Sequence, residues 1–218
     1  MTRSSSQMPP PRSRRRGERL ALALDHLVMP KDGERESGDA VVVRPTDDGV
    51  VLAVIDALGH GERAAAVARE AILELGEVAV DRGVAHVIDR LHGRLGGGRG
   101  AAGLVCILRG KRLEVCGVGN VDLRIRGAKI PVALTPGVLG GAMSRRRVFS
   151  GDLCPGARLV MFSDGISARL DLDAVAGLDP AAACRALMGS HRRAHDDATV
   201  LVVDVLADGG EVDRAPSP

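Results

Sequence analysis

Two segments of this chain are apolar at every position of the extended strand that each would form. Residues 50–55 have the sequence VVLAVI, and residues 159–162 have the sequence LVMF. A strand with one face in water alternates apolar and polar residues, whereas a strand covered on both faces does not. We therefore expect sheets that are buried on both sides, which two sheets stacked face to face with helices outside would achieve.

Other short runs rich in Val, Ile and Leu, bounded by Gly, Asp and Pro, also predict strands. Together the predicted strands cover residues 20–28, 39–44, 49–55, 101–109, 111–118, 121–126, 129–134, 158–163 and 198–205. The segments Asp47-Asp48-Gly49 and Arg109-Gly110-Lys111 separate neighbouring runs and have the composition of hairpin turns. Neighbouring strands are therefore predicted to be antiparallel.

Three segments have helical character. Residues 62–80 are rich in alanine with apolar positions at helical spacing, and residues 84–95 continue this pattern after Gly83. Residues 180–188 begin with Pro180, which suits the first turn of a helix because its missing N–H would have no partner there. The order is strands, two helices, more strands, one helix and a final strand. This order predicts an α+β fold and not parallel βαβ units.

The length and composition are those of one globular domain with polar ends. The chain has 218 residues, of which 45% are hydrophobic, enough for one buried core. Residues 1–18 and 207–218 have few apolar groups, so we expect them to be disordered tails. The domain between them is predicted to cover residues 19–206.

Charge and aromatic content argue against a nucleic-acid partner. The net charge is +2, of which residues 1–19 carry +5 and the remaining chain −3. Trp and Tyr are absent and Phe149 and Phe162 are the only aromatic residues, so we expect no platform on which successive bases could stack. No run of about 18 apolar residues and no apolar segment near the N-terminus is present, so we expect neither a membrane span nor a secretory signal. The expected location is the cytoplasm.

Several of the most apolar predicted strands begin or end beside aspartate: Asp39, Asp56, Asp164 and the pair Asp196-Asp197. An isolated carboxylate at the edge of an apolar core is costly and normally finds a cation, a hydrogen-bond donor or a raised pKa. Each aspartate alone would be explained as a turn cap, but their joint placement indicates a shared site for divalent cations. Carboxylate oxygens without nearby His or Cys ligands favour Mg²⁺ or Mn²⁺ over Zn²⁺.

Five segments of the chain carry motifs that fit together in their order. They are Gly33-Glu34 with Ser37-Gly38-Asp39, Asp56-Ala57-Leu58-Gly59-His60-Gly61, Gly117-Val118-Gly119-Asn120, Ser163-Asp164-Gly165 and Asp196-Asp197-Ala198-Thr199. Over roughly residues 20–205 they resemble the PPM-type serine/threonine phosphatases, and within them the SpoIIE-like branch with its short RsbX-like members. The resemblance implies a four-layer αββα sandwich whose two antiparallel sheets hold two Mn²⁺ or Mg²⁺ ions at one edge.

The same resemblance implies roles for single residues. Asp56 would bridge both metal ions, and the carbonyl oxygen of Ala57 would bind one of them. Asp164 and Asp196 would hold the other ion, and Asp39 would lie at the margin as a ligand or through water. Asp56, Asp164 and Asp196 are accordingly the candidate catalytic residues. The family usually has glycine where this chain has Ala57, which can serve if its φ is negative.

The phosphoryl group would also need a cationic partner, for which arginine is suited. Arg35, Arg63 and the run Arg145-Arg146-Arg147 are candidates, and the sequence gives no basis for choosing among them. His60 is expected at the start of a helix and not as a proton donor.

By resemblance, the chain would hydrolyse phosphoserine or phosphothreonine, and its expected substrate is a phosphorylated STAS-domain protein of a partner-switching pathway. Two alternatives stay open. Ala57 leaves room for a catalytically inactive binding module of the same fold. A GHKL-type ATPase kinase also works in partner switching, but Gly59 and Gly61 lie one residue too far from Asp56 for its Asp-x-Gly-x-Gly motif.

Overall fold

The computed structural model describes residues 20–207. Residues 1–19 and 208–218 lie outside the described residues, and with them the two tails expected to be disordered, apart from Ala207. The strands are β1 (Ala21–Met29), β2 (Asp39–Thr46), β3 (Gly49–Ala57), β4 (Ala101–Arg109), β5 (Arg112–Val118), β6 (Asp122–Arg126), β7 (Phe149–Asp152), β8 (Arg158–Phe162) and β9 (Ala198–Leu206). The helices are α1 (Glu62–Glu77), α2 (Val84–Arg94) and α3 (Pro180–His191), with a short 3-10 helix at Asp173–Val175.

The strands form two sheets in which every neighbouring pair is antiparallel. The first sheet has the order β1-β9-β8-β6, and the second has the order β2-β3-β4-β5-β7. Two-residue turns join β2 to β3, where Thr46 pairs with Gly49, and β4 to β5, where Arg109 pairs with Arg112. Both hairpins predicted from the sequence are confirmed.

The two sheets stack face to face, and helices cover their outer faces. Strand β3 shows why its sequence is apolar throughout: Leu52 and Val54 face the core between the sheets, whereas Val51, Ala53 and Ile55 face α1 and α2. A third core packs α3 against the outer face of the first sheet. These three cores between four layers confirm the predicted α+β fold and its αββα sandwich.

Alanine sets how closely α1 approaches the second sheet. Ala64, Ala68, Ala71 and Leu75 recur at spacings of three and four residues and are all buried. Because three of these side chains are small, the helix backbone can lie close to the sheet. None of the helices within residues 20–207 is long and apolar enough to cross a membrane.

One predicted strand is wrong, and one strand was not predicted. Residues 129–134 form no strand, because Pro131 lacks the N–H that a ladder needs. The apolar side chains of this segment pack instead against the core between the sheets. The edge of the second sheet is taken by β7, whose sequence FSGD has too few apolar residues to predict a strand.

Candidate metal centre

The candidate centre lies at one edge of the stacked sheets, where Asp39 pairs with Asp56. Strand β2 begins at Asp39 and β3 ends at Ala57, so the antiparallel pairing brings these ends together. The register sets Asp39 directly opposite Asp56, a position in which Cβ atoms lie about 4.5–5.5 Å apart. Two carboxylates so close repel each other when both are ionised, which favours a cation or a proton between them.

Asp39 connects the two sheets. Its side chain is buried, and Oδ2 accepts a hydrogen bond of 2.6 Å from Ser163 Oγ, directly after β8. Ser163 Oγ in turn accepts a hydrogen bond of 2.9 Å from the backbone N–H of Thr199 on β9. Oδ1 of Asp39 is buried and has no hydrogen-bond partner among residues 20–207. Burial raises the pKa of Asp39 to about 7, although the Ser163 hydrogen bond acts in the opposite direction.

The Asp56 carboxyl lies in the field of the other acidic groups. Burial is the largest cause that raises its pKa to about 8, and the charges of neighbouring aspartates add to the rise. In order of effect these neighbours are Asp39, Asp164, Asp196 and Asp197. The structure therefore brings all the aspartates that were singled out in the sequence within electrostatic reach of Asp56.

Asp164 and Asp196 lie on turns next to β8 and β9. Asp164 follows β8 through Ser163, and the side-chain amide of Asn120 donates a hydrogen bond to Asp164 Oδ2. Burial, and then the negative charge of Asp164, raises the pKa of Asp196. Asn120 belongs to a motif noted in the sequence but had no predicted role there. Its contact orients the Asp164 carboxylate.

Asp197 is a buried residue of the centre whose hydrogen bonds the sequence did not predict. Its Oδ1 accepts a hydrogen bond from the backbone N–H of Lys31, and its Oδ2 accepts one from that of Gly38, both at 2.7 Å. These bonds close both ends of the loop between β1 and β2. A Cβ on Gly38 would lie 2.5 Å from the Cβ of Ala64, so only glycine fits there. Asp197 thereby fixes the backbone that leads directly into Asp39.

Ala57 meets the conformational condition that the sequence set for it. No residue within 20–207 other than glycine has a positive φ, so Ala57 has a negative φ. Its backbone N–H donates a hydrogen bond of 3.0 Å to the carbonyl of Gly38. The Ala57 backbone is therefore held beside the loop that carries Asp39.

His60 links the same loop to the start of α1. Its Nδ1 lies 2.7 Å from Glu34 Oε1, and its Nε2 lies 3.0 Å from Lys31 Nζ. Gly61 follows with a φ of 71°, and α1 begins at Glu62. His60 therefore contacts the loop between β1 and β2 just before α1 begins, at the helix start where the sequence placed it.

The arginines named from the sequence have different surroundings. Arg146 forms an ion pair of 2.7 Å with Asp89 of α2, so its guanidinium is already occupied. Arg35 and Arg63 are exposed. An arginine that the sequence analysis did not single out, Arg193, donates a hydrogen bond of 2.9 Å from Nη1 to the carbonyl oxygen of Asp164. No motif indicated this contact.

Two features of the centre fit a divalent metal ion. The available donors are carboxylate and backbone carbonyl oxygens, and the buried Oδ1 of Asp39 has no hydrogen-bond partner in the described chain. Across residues 20–207 no three His, Cys, Asp or Glu side chains stand close enough together to hold one ion. The donor types suit Mg²⁺ or Mn²⁺ better than Zn²⁺.

Comparison with known proteins places this architecture in a family. The family model described as Stage II sporulation protein E (SpoIIE) matches residues 46–206. No match was found among curated proteins. The matched region contains Asp56, Asp164 and Asp196, whereas Asp39 lies before it.

Three of the solved structures that match share the fold over nearly their whole length. A chain from the bacterial stressosome, a modular system adapted to control secondary messenger signalling, is 28% identical with a TM-score of 0.78, covering 84% of this chain and 99% of that one. RsbX in complex with magnesium is 18% identical with a TM-score of 0.74, covering 84% and 95%.

The catalytic domain of the serine/threonine protein phosphatase PstP in complex with two manganese ions is 16% identical with a TM-score of 0.66. The match covers 86% of this chain and 100% of the PstP domain. The sandwich is the fold of these solved structures, and since the SpoIIE model matches most of the domain, this chain belongs to the SpoIIE family.

Proposed function

We propose that this chain removes phosphate from serine or threonine side chains of a partner protein with the help of two divalent metal ions. The observation that carries the proposal is the environment of Asp56. Its half-buried carboxyl lies near four other aspartates, and its pKa is raised to about 8. A group of acids is stable in such a place when cations neutralise it.

Five residues would hold the ions. Asp56 is the proposed bridging ligand, and the Ala57 carbonyl supplies a backbone oxygen next to it. Asp164 and Asp196 supply carboxylates from the first sheet, and Asp39 supplies its free Oδ1 directly or through water. These donors come from both sheets, so the site forms only when the sandwich is assembled.

The reaction is a displacement at phosphorus by water. Two Mn²⁺ or Mg²⁺ ions, when bound, lower the pKa of water and offset the negative charge of the phosphoryl group. Asn120 holds one oxygen of Asp164 and Ser163 holds one oxygen of Asp39, so each carboxylate keeps its other oxygen for an ion. The serine or threonine oxygen leaves, and no side chain of the protein becomes phosphorylated.

The proposed substrate is a phosphorylated STAS-domain protein of a partner-switching pathway. Two findings support it: the match to the SpoIIE family, and the likeness at 28% identity to a chain of the bacterial stressosome. The regulatory output of such a pathway would then depend on how fast this chain dephosphorylates its partner.

The two alternatives fare differently. Membership of the SpoIIE family argues against a GHKL-type ATPase kinase. The inactive binding module depended on Ala57, and its negative φ removes the backbone obstacle to metal binding. Activity of the purified protein separates the phosphatase from the inactive module.

The test measures phosphate release from a phosphorylated STAS-domain protein and from a small phosphate ester, with and without Mn²⁺. We expect Mn²⁺-dependent release from both, and we expect Asp56→Asn to lower it by about a thousandfold or more. A bridging carboxylate that organises both ions would contribute several kcal/mol to the transition state.

The matched control is Asp47→Asn, in the hairpin turn at the far end of β3. It makes the same chemical change outside the centre and should leave the rate unchanged. Full activity of Asp56→Asn would contradict the proposal, and so would phosphate release at the same rate with and without Mn²⁺.

A further inference from the structure

Arg193 lies between the turns that carry Asp164 and Asp196. Its side-chain Nη1 donates a hydrogen bond of 2.9 Å to the carbonyl oxygen of Asp164, and its backbone N–H donates one of 2.8 Å to the carbonyl oxygen of Gly165. Its own carbonyl oxygen accepts a hydrogen bond of 3.1 Å from the backbone N–H of Asp196. One residue therefore bonds to both turns.

The residue before it holds a different part of the chain. Arg192 Nη2 donates to the carbonyl of Pro30 at 2.9 Å and to Asp32 Oδ1 at 2.6 Å, both in the loop between β1 and β2. The two consecutive arginines thus bond to different parts of the chain. The contact with the Asp164 turn belongs to Arg193.

The way in which Arg193 bonds leaves the acidic side chains free. Its partner on the Asp164 turn is a backbone carbonyl, and the guanidinium is exposed. A guanidinium that paired with the Asp164 carboxylate would compete with a metal ion for the same oxygens. A bond to the carbonyl instead fixes the peptide and leaves those oxygens for the ion.

We propose that Arg193 is a positioning residue of the metal centre. It holds the peptide after Asp164 against the turn that carries Asp196, so that both carboxylates address the same ion. This inference rests on the proposed two-metal function and gives Arg193 no contact with the substrate. Its effect belongs to one ion, because Asp164 and Asp196 are the proposed ligands of one of the two.

The experiment is calorimetric titration of the full chain with Mn²⁺, using wild type, Arg193→Met and Arg193→Lys. Arg193→Met removes the side-chain hydrogen bond and keeps both backbone bonds, so the fold is retained. A hydrogen bond of this kind contributes about three- to tenfold to an equilibrium. We expect one of the two binding steps to weaken by that factor and the other to stay unchanged.

Two comparisons separate positioning from general stability. The ammonium of Arg193→Lys can donate to the same carbonyl, so this variant should recover part of the lost affinity. Arg169→Met removes another exposed arginine in the loop after β8 and should change neither binding step. The melting temperature of metal-free Arg193→Met should equal that of wild type, while its rise on adding Mn²⁺ should be smaller.

The outcomes distinguish this inference from the proposed function. Two Mn²⁺ steps in wild type with unchanged steps in Arg193→Met overturn the role of Arg193 and leave the phosphatase proposal intact. A lower melting temperature of the metal-free variant also overturns it, since the contact would then stabilise the fold. Absence of Mn²⁺ binding to wild type removes both proposals.

Discussion

The pair of strands β8 and β9 places acidic groups at both of its ends, and the two ends stabilise them differently. At one end Arg158 forms hydrogen bonds of 2.6 and 2.7 Å to the two carboxylate oxygens of Asp204. The Arg158 side chain is 6% exposed and also donates to the carbonyls of Val175 and Leu178. The charges of Arg158 and Asp204 therefore compensate each other within the fold.

At the other end, Asp164 and Asp196 lie near Asp39 and Asp56 of the second sheet. Burial and negative neighbours raise the pKa of Asp39 to about 7 and that of Asp56 to about 8. Burying a charge without a partner is expensive, so such a cluster is stabilised by a cation or a proton taken from solution. The Arg158 pair is therefore structural, whereas the cluster is the proposed metal-binding site.

The largest expected effect is the loss of stability when the Arg158–Asp204 ion pair is broken. Arg158→Met leaves Asp204 without its partner and should lower the free energy of unfolding by about 3 kcal/mol. Mn²⁺ affinity should stay unchanged, since the metal centre lies at the opposite end of the strands. Urea denaturation measures the first quantity and calorimetry the second.

A double variant serves as the control for this prediction. Arg158→Met combined with Asp204→Leu removes both charges and should recover most of the lost stability. If Arg158→Met lowers the free energy of unfolding by less than about 1 kcal/mol, the ion pair is not a main source of stability. If it weakens Mn²⁺ binding, the two ends are not independent.

A smaller effect of opposite sign is expected at the other end. Asp56→Asn should make the metal-free protein more stable at pH 8, by about 1–2 kcal/mol. The pKa of Asp56 is higher in the folded state, about 8, than its ordinary value of 3.8. The folded state therefore binds more protons between these values, and wild-type stability falls as pH rises through this window. Asparagine carries no charge and avoids this loss.

The measurement is urea unfolding in the presence of a chelator at pH 5 and pH 8. The stability difference between Asp56→Asn and wild type should widen with pH, and Asp47→Asn should show no such trend. If Asp56→Asn destabilises the metal-free protein equally at pH 5 and pH 8, the Asp56 charge is already compensated within the fold. The two ends would then not differ.

Much of the fold could be predicted because local patterns agree with the layers. The sequence of residues 50–55 requires cover on both faces, and alternate residues of β3 do face different cores. The failures lie where a pattern was misleading or weak. Pro131 lies in an apolar run that packs against the core without forming a strand. Strand β7 pairs with β5 although phenylalanine is the only apolar side chain in its sequence FSGD.

The aspartates of the candidate site could be predicted from the sequence, but the residues that hold their loops in place could not. Aspartates at strand ends are visible in a sequence, and pairing in register brings Asp39 to Asp56. The hydrogen bond between Asp197 and Gly38 and the one between Arg193 and Asp164 each join loops more than 25 residues apart in the sequence. Such contacts depend on the tertiary arrangement of loops, which carries no periodic signal.

If these aspartates bind a pair of divalent cations, titration of the metal-free protein with Mn²⁺ should give two ions per wild-type chain. Asp56→Asn should lose the paired binding, and Asp47→Asn should bind as wild type does. Wild type that binds no Mn²⁺ or Mg²⁺, or Asp56→Asn that binds two ions with unchanged affinity, would contradict the proposed two-ion site.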